Sequence, residues 1–164
     1  MVGEYMTHGT NHVMDIIAPD GDAWLTIAVG FIAYFLVSFL WWGPIFGKKW
    51  AAEMGMPMEK QDGKTIGMAL VWTVLGTFLI AYVLWHVMSA MMMTTNPAGE
   101  FMRGELDWTS GMAGGFYTWL GFFVPLQLSR VSWEKASWTL FAINVAGHLV
   151  ALLAMSAAFV VLGG

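Results

Sequence analysis

Polar and apolar positions along this chain are segregated into blocks, with the charged residues confined to short stretches between long uncharged runs. A helix on the surface of a soluble domain carries polar residues every three or four positions. Runs such as IAVGFIAYFLVSFL and AFVVLGG have no such period. They predict helices solvated by lipid on all sides, over residues 23–46, 65–93, 108–128 and 136–162. A helix rising about 1.5 Å per residue needs about 20 residues to cross ~30 Å of hydrocarbon, and Ala23–Phe46 alone exceeds that length without a charge. The second run is long enough to tilt or to project into water. The expected fold class is an all-α membrane protein of four transmembrane helices (residues 23–164) behind a polar, acidic amino-terminal segment (residues 1–22).

Composition strengthens this expectation. Of 164 residues 58% are hydrophobic and 11% charged, against roughly 25% charged in an average soluble domain. The absence of cysteine excludes disulfides, thiolate nucleophiles and Cys-ligated metal centres. The amino-terminal stretch MVGEYMTHGTNHVMDIIAPDGD has no basic region ahead of an apolar core, so the first span is expected to act as the insertion signal.

Orientation follows from the basic residues of short loops, which stay on the cytoplasmic side. Lys48, Lys49, Lys60 and Lys64 lie between the first and second runs, and Arg130 and Lys135 between the third and fourth. On the opposite side stands Arg103, beside Glu100, Glu105 and Asp107. The expected topology places both termini on the periplasmic side of a bacterial inner membrane. Trp24, Trp41, Trp42, Trp50, Trp108, Trp133 and Trp138 fall near the ends of the runs, where an indole favours the headgroup region, and they read as interface anchors.

The sharpest local feature is WWGPIFGKKW, with Trp41, Trp42, Gly43, Pro44, Gly47 and Trp50 at the end of the first run. Pro44 removes a backbone donor, the glycines permit a tight turn and the lysines hold the end at the inner surface. Two readings follow: a helix stop with a corner, or a broken helix end that lines a cavity.

WWGPIFGKKW, the later GFFVPLQLSRVSWE and LFAINVAGHLVALLAMSAAFV together resemble the bacterial membrane-protein family known as domain of unknown function 1761, over roughly Leu25 to Val161. The resemblance implies a four-span inner-membrane fold and brings no activity with it; residues 1–22 look like an addition to the family pattern. A weaker internal echo relates Phe122-Phe123-Val124-Pro125 to Trp41-Trp42-Gly43-Pro44, as expected of two parallel helical hairpins related by an axis along the membrane normal.

Ionisable groups inside a span are costly and mark candidate sites. His86 lies in the second run, Gln127 at the end of the third, and Asn144 and His148 in the fourth, where with Gly147 they share one helix face. This stripe suits close helix packing through interhelical hydrogen bonds. His86 and His148 also allow a proton relay or polar pocket, or axial ligation of a tetrapyrrole metal by imidazole, so a bound tetrapyrrole or lipid is a candidate cofactor. His8, His12 and Asp15 have a spacing that would face one side of a helix as a zinc or copper site. The alternative is a solvated polar tail. Met88, Met91, Met92 and Met93 point around a helix, which favours packing over copper ligation.

No phosphate-binding glycine loop, nucleophile elbow or paired carboxylate appears, and the basic loops are too small for a nucleic-acid surface. The expected function is an accessory or structural, non-enzymatic subunit of a larger membrane complex, energy-converting or pigment-bearing. Its expected partners are lipids and other membrane subunits or copies of itself. The alternative is a small homo-oligomeric transporter or channel-like protein with a His/Asn site in the bilayer.

Overall fold

The computed structural model describes residues 19–56, 62–99 and 101–163. Helix α1 (Gly21–Leu40) runs without interruption into a π-helical turn, Trp41–Ile45, and then into the short α2 (Gly47–Glu53). Helix α3 (Gly63–Met91) follows, then a two-stranded antiparallel ribbon of β1 (Met93–Thr95) and β2 (Phe101–Arg103). Helix α4 (Trp108–Thr118) passes through a second π-helical turn, Trp119–Phe123, into α5 (Val124–Trp133), and α6 (Trp138–Gly163) closes the chain.

The helices begin where side chains can satisfy the free backbone donors of the first turn. Asp20 accepts from the Ala23 amide at 2.8 Å, Asp62 from Thr65 at 2.7 Å and Asp107 from Ser110 at 2.6 Å. These hydrogen bonds hold the Asp62 and Asp107 carboxyls below their ordinary range.

Three helical stretches are long and apolar enough to cross a membrane: Gly21–Ile45, Gly63–Met91 and Trp138–Leu162. The first two begin two residues earlier than the hydrophobic runs predict, because their aspartate caps lie inside the polar flanks. The third expected span, 108–128, is instead a helical path to Trp133 divided by a π-helical turn. The ribbon was not anticipated from the uncharged run; Asn96-Pro97-Ala98-Gly99 turns the chain there, with Asn96 accepting from the Ala98 amide at 2.9 Å and Gly99 at φ 83°.

The chain does not stop at Pro44, as a helix-breaking proline predicts. The π-helical turn shifts the backbone pairing so that the Phe46 amide reaches the Trp41 carbonyl at 2.9 Å, and α2 starts directly after it. Gly47 is the glycine this turn requires, since a Cβ there would lie 2.7 Å from the Trp42 carbonyl oxygen, whereas a Cβ at Gly43 would meet nothing within 4 Å.

Helix α6 is central, with α1, α2, α4, α5 and the second π-helical turn packed on it, α1 most extensively, and with the first π-helical turn bonded to it through Trp41 and Trp42. Leu152, Met155, Ser156 and Phe159 are fully buried along it. Close approach depends on small residues: Gly30 of α1 faces Phe159, Gly111 of α4 faces Val160, and Gly115 faces Ser156 and the Leu152 carbonyl. Helix α3 is peripheral. Its buried residues, Thr77, Ala81, Leu84, Trp85, Met88 and Ser89, form one stripe in its second half, while residues 63–75 are exposed throughout.

Candidate functional site

The polar groups of the bundle converge where the first π-helical turn meets α6. Asn144 and His148 are four residues apart on α6 and face the same side. The amide oxygen of Asn144 accepts two indole N–H groups, from Trp42 and Trp50, each at 3.1 Å. Its Nδ2 donates to Gln127 Oε1 of α5 at 3.2 Å. One turn further, the Tyr34 hydroxyl of α1 and His148 Nδ1 are hydrogen-bonded at 2.8 Å. Helices α1, α2, α5 and α6 are thereby tied through one asparagine and one histidine.

The π-helical turns aim their leading tryptophans at the α6 backbone. Trp41 Nε1 donates to the Ile143 carbonyl at 2.9 Å and Trp119 Nε1 to the Val145 carbonyl at 2.8 Å. Gly147 makes room, since a Cβ on it would lie 2.6 Å from Trp41 and 2.8 Å from Trp42. Trp41, Trp42 and Trp50 therefore bond within the protein, where span-end position predicts headgroup anchors. Trp24, Trp108, Trp133 and Trp138 are exposed.

The imidazole of His148 is enclosed by aromatic rings, with the Trp42 and Phe123 centroids 4.9 and 4.7 Å away. Its Nε2 has no protein hydrogen bond among the described residues. It lines a cavity of about 660 Å³ between α1, α3, α5 and α6, together with Tyr34, Ser38, Trp42, Trp50, Gln127, Arg130 and Asn144. On the α3 side the walls are Leu70, Thr73, Gly76, Thr77 and Ile80. The volume falls in the range of small-molecule sites, about 300–1,000 Å³. Ser38 Oγ is buried with no hydrogen-bond partner among the described residues.

His86 stands apart from this site. Its Nδ1 is 2.7 Å from the Tyr82 carbonyl of its own helix, and its ring packs on Tyr82 and Trp85. No hydrogen bond or ring contact joins His86 to His148 among the described residues, and His86 is not among the residues that line the cavity. His8, His12 and Asp15 lie outside the described residues, and within them no cluster of three metal-ligating side chains occurs. Pro125 sits in the first turn of α5, where its missing N–H costs little.

Outside the cavity, Glu53 of α2 accepts from the Ser137 hydroxyl and pairs with Lys49 Nζ at 3.0 Å. Ser137 Oγ in turn accepts from the Leu140 amide at 3.0 Å, starting α6. The bond from Ser137, then that from Lys49, holds the Glu53 carboxyl below its ordinary range. Sequence pattern alone leaves Tyr34, Ser38 and Trp119 undistinguished from their apolar neighbours; the available signal is a hydroxyl or indole inside an otherwise apolar run.

The fold and site define a mainly helical protein with three helices of membrane-spanning length and an open cavity whose largely apolar wall carries the Tyr34–His148 and Asn144–Gln127 hydrogen bonds. The chain belongs to the protein family of unknown function DUF1761, whose profile matches residues 25–160. No curated protein and no solved structure matches it.

Proposed function

We propose that this protein is a small multi-pass membrane protein that binds, and passes across or along the bilayer, a small molecule held in the Tyr34–Asn144–His148 cavity. The observation that carries the reading is the juxtaposition of an open cavity of about 660 Å³ with a polar network that is already hydrogen-bonded. A site built in advance loses little ordering entropy when it binds. It works by binding and positioning, without catalytic chemistry.

In this reading α4, the second π-helical turn and α5 form a fourth span, since residues 108–129 carry no charge. The distorted backbone is then covered by α6, as non-helical geometry at membrane depth must be. Lys48, Lys49, Arg130 and Lys135 gather at one end, which favours a bacterial inner-membrane topology with both termini periplasmic.

A second reading, an accessory subunit packed against other membrane proteins or copies of itself, is favoured by α3, whose first half is exposed on every side. Val71, Trp72 and Leu75 there form an apolar surface suited to lipid or to a partner helix.

The experiment is purification of the full-length chain in mild detergent, with mass spectrometry of every small molecule and protein retained. Gly76→Phe is the comparison, because a Cβ at Gly76 meets nothing within 4 Å and the ring would fill the cavity. A stoichiometric small molecule in the parent chain that is lost from the folded variant is the expected result. The same small-molecule content in both would overturn the binding reading, and fixed-ratio foreign subunits would support the accessory one.

A further inference from the structure

The chemistry of the cavity wall, together with a second groove that meets it, narrows the class of ligand. Among the described residues lining the cavity none is acidic, and the one charged group is the Arg130 guanidinium. Arg130 donates through Nε to Glu134 Oε2 at 3.0 Å and through Nη2 to Met54 Sδ at 3.7 Å. Its guanidinium has five N–H groups in all, so these two bonds leave donors for a ligand.

The neutral wall groups are also weighted toward donation. Gln127 has its Oε1 engaged by Asn144, which leaves its NH₂ group. In the tautomer that accepts from the Tyr34 phenol at Nδ1, His148 carries its proton on Nε2. Asn144 Oδ1 is already taken by two indoles. An anionic, acceptor-rich group finds here the one charged partner of the wall, the Arg130 guanidinium, with the Gln127 amide NH₂ on the same wall.

Between α1 and α3 runs a second groove, of about 640 Å³, lined by apolar residues, among them Ala28, Phe31, Val74 and Phe78. Leu70 borders both the groove and the polar cavity. The two spaces therefore adjoin, one donor-rich with a cation and the other suited to hydrocarbon.

We infer that the ligand is an anionic amphiphile, with a phosphate- or carboxylate-bearing head held by Arg130, Gln127 and His148 and a hydrocarbon chain lying in the α1–α3 groove. The inference rests on the cavity being a binding site, as proposed above. The head gains charge-assisted hydrogen bonds at a half-exposed guanidinium, and the chain gains packing against Phe31 and Phe78 without leaving an apolar medium.

The test is native mass spectrometry of the full-length chain offered equal amounts of phosphatidylglycerol and phosphatidylcholine of the same acyl length. One retained phosphatidylglycerol with a preference of about tenfold is expected, the size of one charge-assisted hydrogen bond. Arg130→Gln should reduce the preference to near one, Arg130→Lys should keep most of it, and Ala28→Phe should weaken retention of the lipid without changing the headgroup preference. Equal retention of both lipids, or a preference untouched by R130Q, would overturn the inference. So would displacement of phosphatidylglycerol by inorganic phosphate with A28F inert, which would mark a soluble anion as the ligand. If the lipids are retained equally while Gly76→Phe still displaces the co-purified small molecule, the ligand class fails and the binding site stands.

Discussion

Trp42, within the π-helical turn that follows α1, and Trp50 of α2 donate their indole N–H groups to the same atom, Oδ1 of Asn144, each at 3.1 Å. A carbonyl oxygen has two lone pairs, and both are used. The π-helical turn is what permits this, because the shifted backbone pairing rotates Trp42 toward α6 and Gly47 allows α2 to turn back with Trp50 on the same side. The Asn144 amide, together with the Ser137–Glu53 bond, holds in place a loop helix that hydrophobic packing alone would leave loose, as α2 has no buried residue of its own.

Asn144→Leu preserves volume while leaving two indole N–H groups and Gln127 Oε1 without their partner. An unmade buried hydrogen bond costs about 1–3 kcal/mol, and interhelical bonds in membranes measure about 0.6 kcal/mol on average. The variant should lose about 1–3 kcal/mol in detergent and show a red-shifted tryptophan emission as Trp42 and Trp50 move toward solvent. A melting temperature and emission identical to the parent chain would refute the shared-acceptor role.

Gly147→Ala should be more destabilising than Gly43→Ala, although both glycines belong to the same junction. The added methyl at residue 147 lies inside the van der Waals distance of Trp41 and Trp42, while at residue 43 it meets nothing within 4 Å. Overpacking of this kind typically costs about 1–3 kcal/mol, whereas at residue 43 the ordinary helical gain from alanine is opposed only by the Pro44 ring, which disfavours a Cβ on the residue before it. Thermal melts of the two variants side by side read the difference, and equal effects would count against the seating of the indoles on Gly147.

Attachment of α2 to the start of α6 should depend on pH through Glu53. Its carboxyl is held below the ordinary value of 4.5 in the fold by Ser137 and Lys49. A depressed carboxyl adds stability above its unfolded-state value and loses it as the pH falls through the folded value. The melting temperature of the parent chain should therefore exceed that of Glu53→Ala near neutral pH, and the gap should close once the pH drops below 4.5. A gap that stays constant down to strongly acid pH would show that the carboxylate charge plays no part.

The site was legible in part. Asn144, Gly147 and His148 stand out because polar and small residues at helical spacing are conspicuous in an apolar run, and all three lie at the convergence of the helices. His86 has the same conspicuousness and a different surrounding, bonding to its own helix. The internal echo has a register three residues away from the one the prolines mark: the π-helical turns pair Trp41 and Gly43 with Trp119 and Gly121, since it is the leading indole of each turn that reaches an α6 carbonyl.

The sequence by itself determined the long apolar helices, because those depend on the solvation of side chains along each run. It also determined which residues were polar against an apolar background. Only the tertiary structure decided that three tryptophans turn inward, that the Tyr34 hydroxyl is the group that meets His148, and that α3 leaves a cavity beside α1. Those outcomes depend on contacts between residues about a hundred positions apart, such as Trp42 with Asn144, and on backbone pairing at a π-helical turn, neither of which leaves a periodic trace in the order of residues along the chain.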